Sequence, residues 1–194
     1  MDNTIIRSKI TIEDVMHFDE DKRIEVVNGE IKDNTVTAGF MHAHIIENLR
    51  DIIKPVARKN KLGHVFGDGL TYILYEDKEE GVRDARIPDF SFVRPNLIPK
   101  DWDRSRPFPG CPALAVEVVS PTEKTADLMG KIASFLRYDT EQVWVIYPQK
   151  QELHQYVKDN LPPRIYTAQD TLIVETLFPE LEIKIASLFV DDYE

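Results

Sequence analysis

Glu117 lies in the middle of Ala113-Leu-Ala-Val-Glu-Val-Val119, an apolar run bounded by Pro112 and by Ser120-Pro121. Such a run reads as a strand covered on both faces. A carboxylate inside it is costly unless it is paired, hydrogen-bonded or bound to a cation. Asp89 belongs to a second strand-like segment, Arg86-Ile-Pro-Asp-Phe-Ser-Phe-Val93, whose alternation puts Ile87, Asp89, Ser91 and Val93 on one face and Phe90 and Phe92 on the other. Lys131 falls on a predicted helix, three residues after Leu128 and four before Phe135, at the shoulder of an apolar stripe. Two carboxylates on neighbouring strands, with waters and a phosphate, suit the octahedral shell of Mg²⁺. A lysine beside them can hold an attacking water or neutralise charge developing at phosphorus. The combination points to metal-dependent phosphate-ester hydrolysis.

Each residue alone also has a plain structural reading. Glu117 would pair with an interior Arg or Lys, Asp89 would end a strand, and Lys131 would snorkel from a helix edge. Asp127 and Lys131, at i and i+4, would make a surface ion pair. His42 and His44 are two apart on a predicted helix, so they diverge and do not share one metal.

The elements that must position these groups follow from periodicity and turn signals. Thr11-Ile-Glu-Asp14 reads as a capping box opening a short helix to about residue 17. Arg23 to Val27, Asn28-Gly29 and Glu30-Ile31 read as a hairpin. A helix is predicted from Phe40 to about Asn60, with Pro55 as a kink or early end and Gly63 as its stop. Residues 64–75 and 86–93 read as strands, and 94–112, with five prolines and several cations, as a long surface loop. Ser120 to Thr122 cap a predicted helix running to about Tyr138. Strands follow at 142–147, 152–157, 164–167 and 172–174, with a short terminal element at 186–190. This mixture predicts an α/β (α+β) domain on one mixed central sheet flanked by helices, a single domain over residues 1–194.

The composition is compatible with that domain: 194 residues, 42% hydrophobic. No signal-peptide core or apolar run long enough to span a membrane is evident, so the expectation is a soluble cytoplasmic protein without membrane association. Cys111 is the single cysteine, which excludes a disulfide framework and a cysteine zinc site. The net charge of -10 argues against broad, non-specific affinity for nucleic acid.

Five segments carry a resemblance: Ile24-Glu-Val-Val-Asn-Gly-Glu-Ile31, His42-x-x-Ile45 with Asn48-Leu49, Pro88-Asp89-Phe-Ser-Phe-Val93, Pro112-x-Leu-x-Val-Glu117-Val-Val-Ser-Pro121, and Asp127-x-x-x-Lys131. In order and spacing, across residues 10 to 190, they resemble the Uma family of restriction-endonuclease-like proteins in the PD-(D/E)XK nuclease superfamily. The resemblance implies a restriction-endonuclease-like fold, Mg²⁺ or Mn²⁺ as cofactor and DNA as substrate. It implies that Asp89 and Glu117 are the metal-binding acids and that the Val118 carbonyl completes the shell. Val119 stands where the superfamily's tripeptide has its lysine, so the resemblance implies that Lys131 takes that role. Glu25, His42 and Asp127 would lie at or beside the centre. Arg83, Arg86, Arg94, Lys100, Arg104 and Arg106 are the candidate phosphate contacts. Arg137 to Trp144 lacks a glycine that relatives often carry before this strand. A homodimer would suit cleavage of two strands. Two other readings stay open: a catalytically silent nucleic-acid-binding or regulatory module on the same fold, and a hydrolase of small phosphorylated molecules.

Overall fold

The structure is a computed structural model and describes residues 9–19, 21–35 and 39–191. The ends of the expected 1–194 domain, residues 1–8 and 192–194, lie outside the described residues.

Thr11 caps α1 (Ile12–Met16). Its hydroxyl accepts the Asp14 N–H while the Asp14 carboxylate accepts the Thr11 N–H, which is the expected capping box. Asn28 and Gly29, at φ 52° and 76°, turn β1 (Ile24–Val27) into β2 (Glu30–Asp33). Helix α2 (Phe40–Lys59) runs through Pro55 and buries Ile45, Ile46, Leu49, Ile53 and Ala57 on one stripe. The left-handed position after it is Lys61, not the expected Gly63. Gly63 is needed instead for a close approach, since a Cβ there would sit 2.2 Å from the Val93 carbonyl oxygen.

Two expected strands divide. Gly67-Asp68-Gly69 separates β3 (His64–Phe66) from β4 (Tyr72–Asp77), and the two join different sheets. Residues 86–93 break at Pro88, which lacks a ladder donor. Arg86 thereby ends β5 (Gly81–Arg86) in one sheet, while Asp89 immediately precedes β6 (Phe90–Val93) in the other. The sequence reading contains no strand at 81–85, because its charges obscure the alternation. The proline-rich stretch is anchored in mid-course: β7 (Phe108–Pro109) pairs with β4, and buried Phe108 meets Trp102 edge-on.

The chain continues through β8 (Leu114–Val118), α3 (Thr125–Arg137), β9 (Gln142–Tyr147), β10 (Glu152–Val157), β11 (Asn160–Tyr166), β12 (Thr171–Ile173) and β13 (Glu182–Lys184). A 3₁₀ turn at Ile185–Leu188 closes it. Helix α3 starts after Lys124 with no side-chain cap, so the expected cap at Ser120 to Thr122 is not formed.

The larger sheet has the order β11-β10-β9-β8-β6-β3 and is parallel only between β8 and β9. A parallel pair needs a crossover, and α3 supplies it. The second sheet, β2-β1-β5-β4-β7, was not distinguished in the expectation of one sheet. Along β8, Leu114, Val116 and Val118 face the core shared with α2, whereas Ala115 faces α3 and β4. Glu117 alternates onto the Ala115 side. No helix among the described residues is long and apolar enough to cross a membrane.

Gly81 ties β5 to the chain before α1. It has φ +79°, and a Cβ there would meet the Ile10 carbonyl oxygen at 2.2 Å. Gly81→Ala is therefore expected to lower stability by about 1–3 kcal/mol through backbone strain. Urea unfolding tests this, with faster amide exchange at Val82, whose N–H bonds the Ile10 carbonyl.

Candidate active site

Asp89 is delivered by the short crossing between the two sheets. Its N–H bonds the Val116 carbonyl at 3.0 Å, which sets it beside Glu117 across the β6–β8 pairing. Both its oxygens are engaged. Oδ2 accepts from the Val118 N–H at 2.7 Å and lies 3.2 Å from His42 Nε2, and Oδ1 lies 2.8 Å from Arg23 Nη1. Burial works to raise the Asp89 pKa, but His42, Arg23 and the Val118 N–H outweigh it and hold the carboxyl down at about 2.

Glu117 is almost fully enclosed. Its Oε2 accepts from Lys131 Nζ at 2.9 Å, while Oε1 is buried without a hydrogen-bond partner. Burial, with Asp89 adding repulsion against the pull of Lys131, pushes its pKa up to about 8. Lys131 comes from the buried side of α3 and also reaches Glu123 Oε1 at 3.4 Å. Glu117 and the neighbouring carboxylates overcome burial and raise its pKa. Its alternative partner, Asp127, lies on the rim of the same cleft.

Behind this centre lies a buried polar seam. Glu25 accepts from the Ile87 N–H at 3.0 Å, Asn34 Nδ2 at 2.6 Å and Arg86 Nη1 at 3.3 Å. Arg86 also donates to Asp84 at 2.8 Å and to Ser134 at 2.8 Å. Glu25 thus fixes the backbone two residues before Asp89.

The centre opens into a cleft of about 1310 Å³ that includes Arg23, His42, Asp68, Asp89, Glu117, Val118, Asp127 and Lys131. Of the six candidate phosphate contacts, Arg104 and Arg106 line this cleft, and Arg106 also pairs with Glu13. Arg83 pairs with Glu80, and Arg94 with Glu141 and the Thr176 carbonyl. Arg86 is enclosed in the seam, and Lys100 is exposed away from the cleft lining. Arg23 is the cation that sequence reasoning missed. The available signal was its place two residues before Glu25, on the same strand face.

The two acids suit a hard divalent cation, which prefers oxygen donors, and the partnerless Glu117 Oε1 is an atom such a cation would satisfy. No cluster of three His, Cys, Asp or Glu side chains suited to a metal occurs among the described residues, so a shell here would draw on the Val118 carbonyl and waters. These pKa directions have a sign. Glu117, raised from 4.5 to about 8, contributes stability below its unfolded value that is lost as pH rises through about 8. Asp89, lowered from 3.8 to about 2, contributes stability above 3.8 that is lost as pH falls through about 2. In chelator, the thermal midpoint is expected to fall between about pH 5 and pH 8, and Mn²⁺ should offset that fall. A midpoint that stays level or climbs over this range would contradict the assignment.

The mixed α+β architecture is that of a restriction-endonuclease-like fold, with Asp89 just before β6, Glu117 on the adjacent β8 and Lys131 on the crossover helix that follows. The family model described as "Uma2: Putative restriction endonuclease" matches residues 12–186, and the chain belongs to that family. A similar solved structure is that of a putative nuclease belonging to DUF820 from Anabaena variabilis. It has a TM-score of 0.75 and 19% identity, covering 93% of this chain and 97% of that one. At that identity the likeness establishes the fold. No curated protein matches the chain.

Proposed function

We propose that the protein is a divalent-metal-dependent endonuclease that hydrolyses DNA phosphodiester bonds. The observation that carries this reading is the enclosed Glu117, partnerless on one oxygen and held by Lys131 on the other, beside Asp89 at the floor of an open cleft. Asp89, Glu117 and the Val118 carbonyl would hold Mg²⁺ or Mn²⁺. Such an ion supplies Lewis acidity toward the phosphate and lowers the pKa of an attacking water. Lys131 orients that water and offsets negative charge as the new P–O bond forms and the bond to the leaving strand breaks. His42 and the Val118 N–H hold the Asp89 carboxylate in place. Arg104 and Arg106 meet the backbone of the bound strand.

The silent-module reading has one observation in its favour. Acidic side chains around the cleft outnumber basic ones eight to six among the described residues, which does not suit a long polyanion unless cations are added. The deciding experiment is cleavage of plasmid and single-stranded DNA in Mn²⁺, Mg²⁺ and EDTA, with Lys131→Ala beside the wild type. Nicking that requires metal and is lost in the variant supports the nuclease. Absence of cleavage in every metal, with no calorimetric sign of metal binding, supports the silent module. Release of phosphate from small esters with intact DNA would redirect the substrate to small molecules.

A further inference from the structure

Arg23 occupies a position that the proposed chemistry does not use. Its Nη1 lies 2.8 Å from Asp89 Oδ1 and 3.1 Å from Asp68 Oδ1, its Nη2 donates to the Ile87 carbonyl, and its Nε is buried without a partner. The side chain is 15% exposed, whereas Asp68, in the loop between β3 and β4, is 55% exposed.

Resting on the nuclease reading, we propose that Arg23 is a displaceable internal counter-ion: it holds Asp89 Oδ1 until a divalent cation takes that oxygen, then remains in the cleft on Asp68. Three features of the site support the exchange. Both carboxylate oxygens of Asp89 are taken, by the Val118 N–H and His42 on one and Arg23 on the other. The Val118 N–H belongs to β8 and cannot leave without disturbing a central strand. His42 lies on the opposite oxygen. Arg23 alone among these donors already has a second carboxylate within reach.

The physical consequence is competition. A cation approaching the two acids meets an open oxygen on Glu117 but an occupied one on Asp89. Charge-assisted hydrogen bonds to a buried carboxylate are strong, so their loss lowers the apparent affinity for metal. Arg23 therefore sets the cation concentration at which the centre fills. It is a positioning residue acting through Asp89, and Asp68 is its second anchor.

Calorimetric titration of Mn²⁺ and Ca²⁺ into wild type, Arg23→Gln, Asp68→Asn and the double variant tests this without any cleavage readout. Arg23→Gln is expected to bind both ions roughly tenfold more tightly, the scale of one charged hydrogen bond no longer displaced. Asp68→Asn should weaken binding in the wild type and have little further effect once Arg23 is Gln, a non-additive cycle. Equal or weaker binding by Arg23→Gln, with wild-type binding intact, overturns the proposal and leaves the nuclease reading standing. Absence of binding in every variant removes both. A readout that needs no substitution is the exchange of the Arg23 guanidinium protons in ¹⁵N-arginine-labelled wild type. At one equivalent of Mg²⁺ the Nη1 protons, freed from Asp89 and left only on the largely exposed Asp68, should change from slow to rapid exchange, whereas those on Nη2 keep the Ile87 carbonyl. If the Nη1 protons stay slow while metal binds, the cation has taken another oxygen and the proposal fails.

Discussion

Glu117→Gln is expected to reduce metal-supported DNA cleavage by at least about 10²–10³-fold, the scale of losing one group that stabilises charge in a transition state. The amide keeps the size of the side chain and a hydrogen-bond acceptor for Lys131, but it cannot ionise. Two further changes should accompany the loss. Mn²⁺ should no longer raise the thermal midpoint, and the decline in chelator between about pH 5 and pH 8 should flatten, because the group that titrates there is gone. Gel assays of plasmid nicking and a pH series of thermal melts give both results. An active Glu117→Gln enzyme would remove Glu117 from the proposed mechanism. A variant that is inactive yet still shows the wild-type pH dependence would show that another group causes that dependence.

Arg86→Ala is expected to produce the largest loss of stability, about 3–5 kcal/mol, because it leaves two buried carboxylates without their shared cation. Glu25 and Asp84 are 0% and 2% exposed, and Arg86 reaches both while also donating to Ser134 on α3. A folded domain holds only about 5–15 kcal/mol in total, so the variant should be near its unfolding limit at physiological temperature. Glu25→Gln should cost less, about 1–3 kcal/mol, because the amide oxygen still accepts from the Ile87 N–H. Urea titrations measure both. A loss below about 1 kcal/mol for Arg86→Ala would mean that water reaches the seam and that its charges are effectively solvated.

The acids and the lysine were legible in the sequence because each disturbs a simple pattern. Glu117 interrupts an apolar strand, Asp89 sits in an alternating segment beside a proline, and Lys131 falls at the edge of a helical stripe. Local periodicity captures such features. Arg23 and the true place of Arg86 were not legible, because the partners of Arg23 are decided where two sheets meet and those of Arg86 where β1, β5 and α3 close on one another. The split at Pro88 leaves Arg86, expected as a candidate phosphate contact, in the interior, and the loop at Gly67-Asp68-Gly69 sets Asp68 against Arg23. Nothing in the strand pattern states that residues 64–66 and 72–77 belong to different sheets. The proline-rich segment misled in a similar way: its composition suggests a solvated loop, yet Trp102 and Phe108 pack into the core shared by β4 and α3.

The centre and the seam behind it are built from residues far apart in the chain: Arg23 just before β1, Glu25 on β1, Asp89 from the crossing, Glu117 from the other sheet and Lys131 from the helix after it. Contacts of such long sequence separation form late in folding, after the entropy of closing the intervening loops has been lost. A nascent or half-folded chain therefore has its acids apart and cannot assemble the pair that would grip a cation. In a refolding experiment, cation binding should return with the slowest structural phase and not before it. For the DNA-cutting role proposed here, this topology is a form of timing: the proposed centre comes into existence only when the whole domain does.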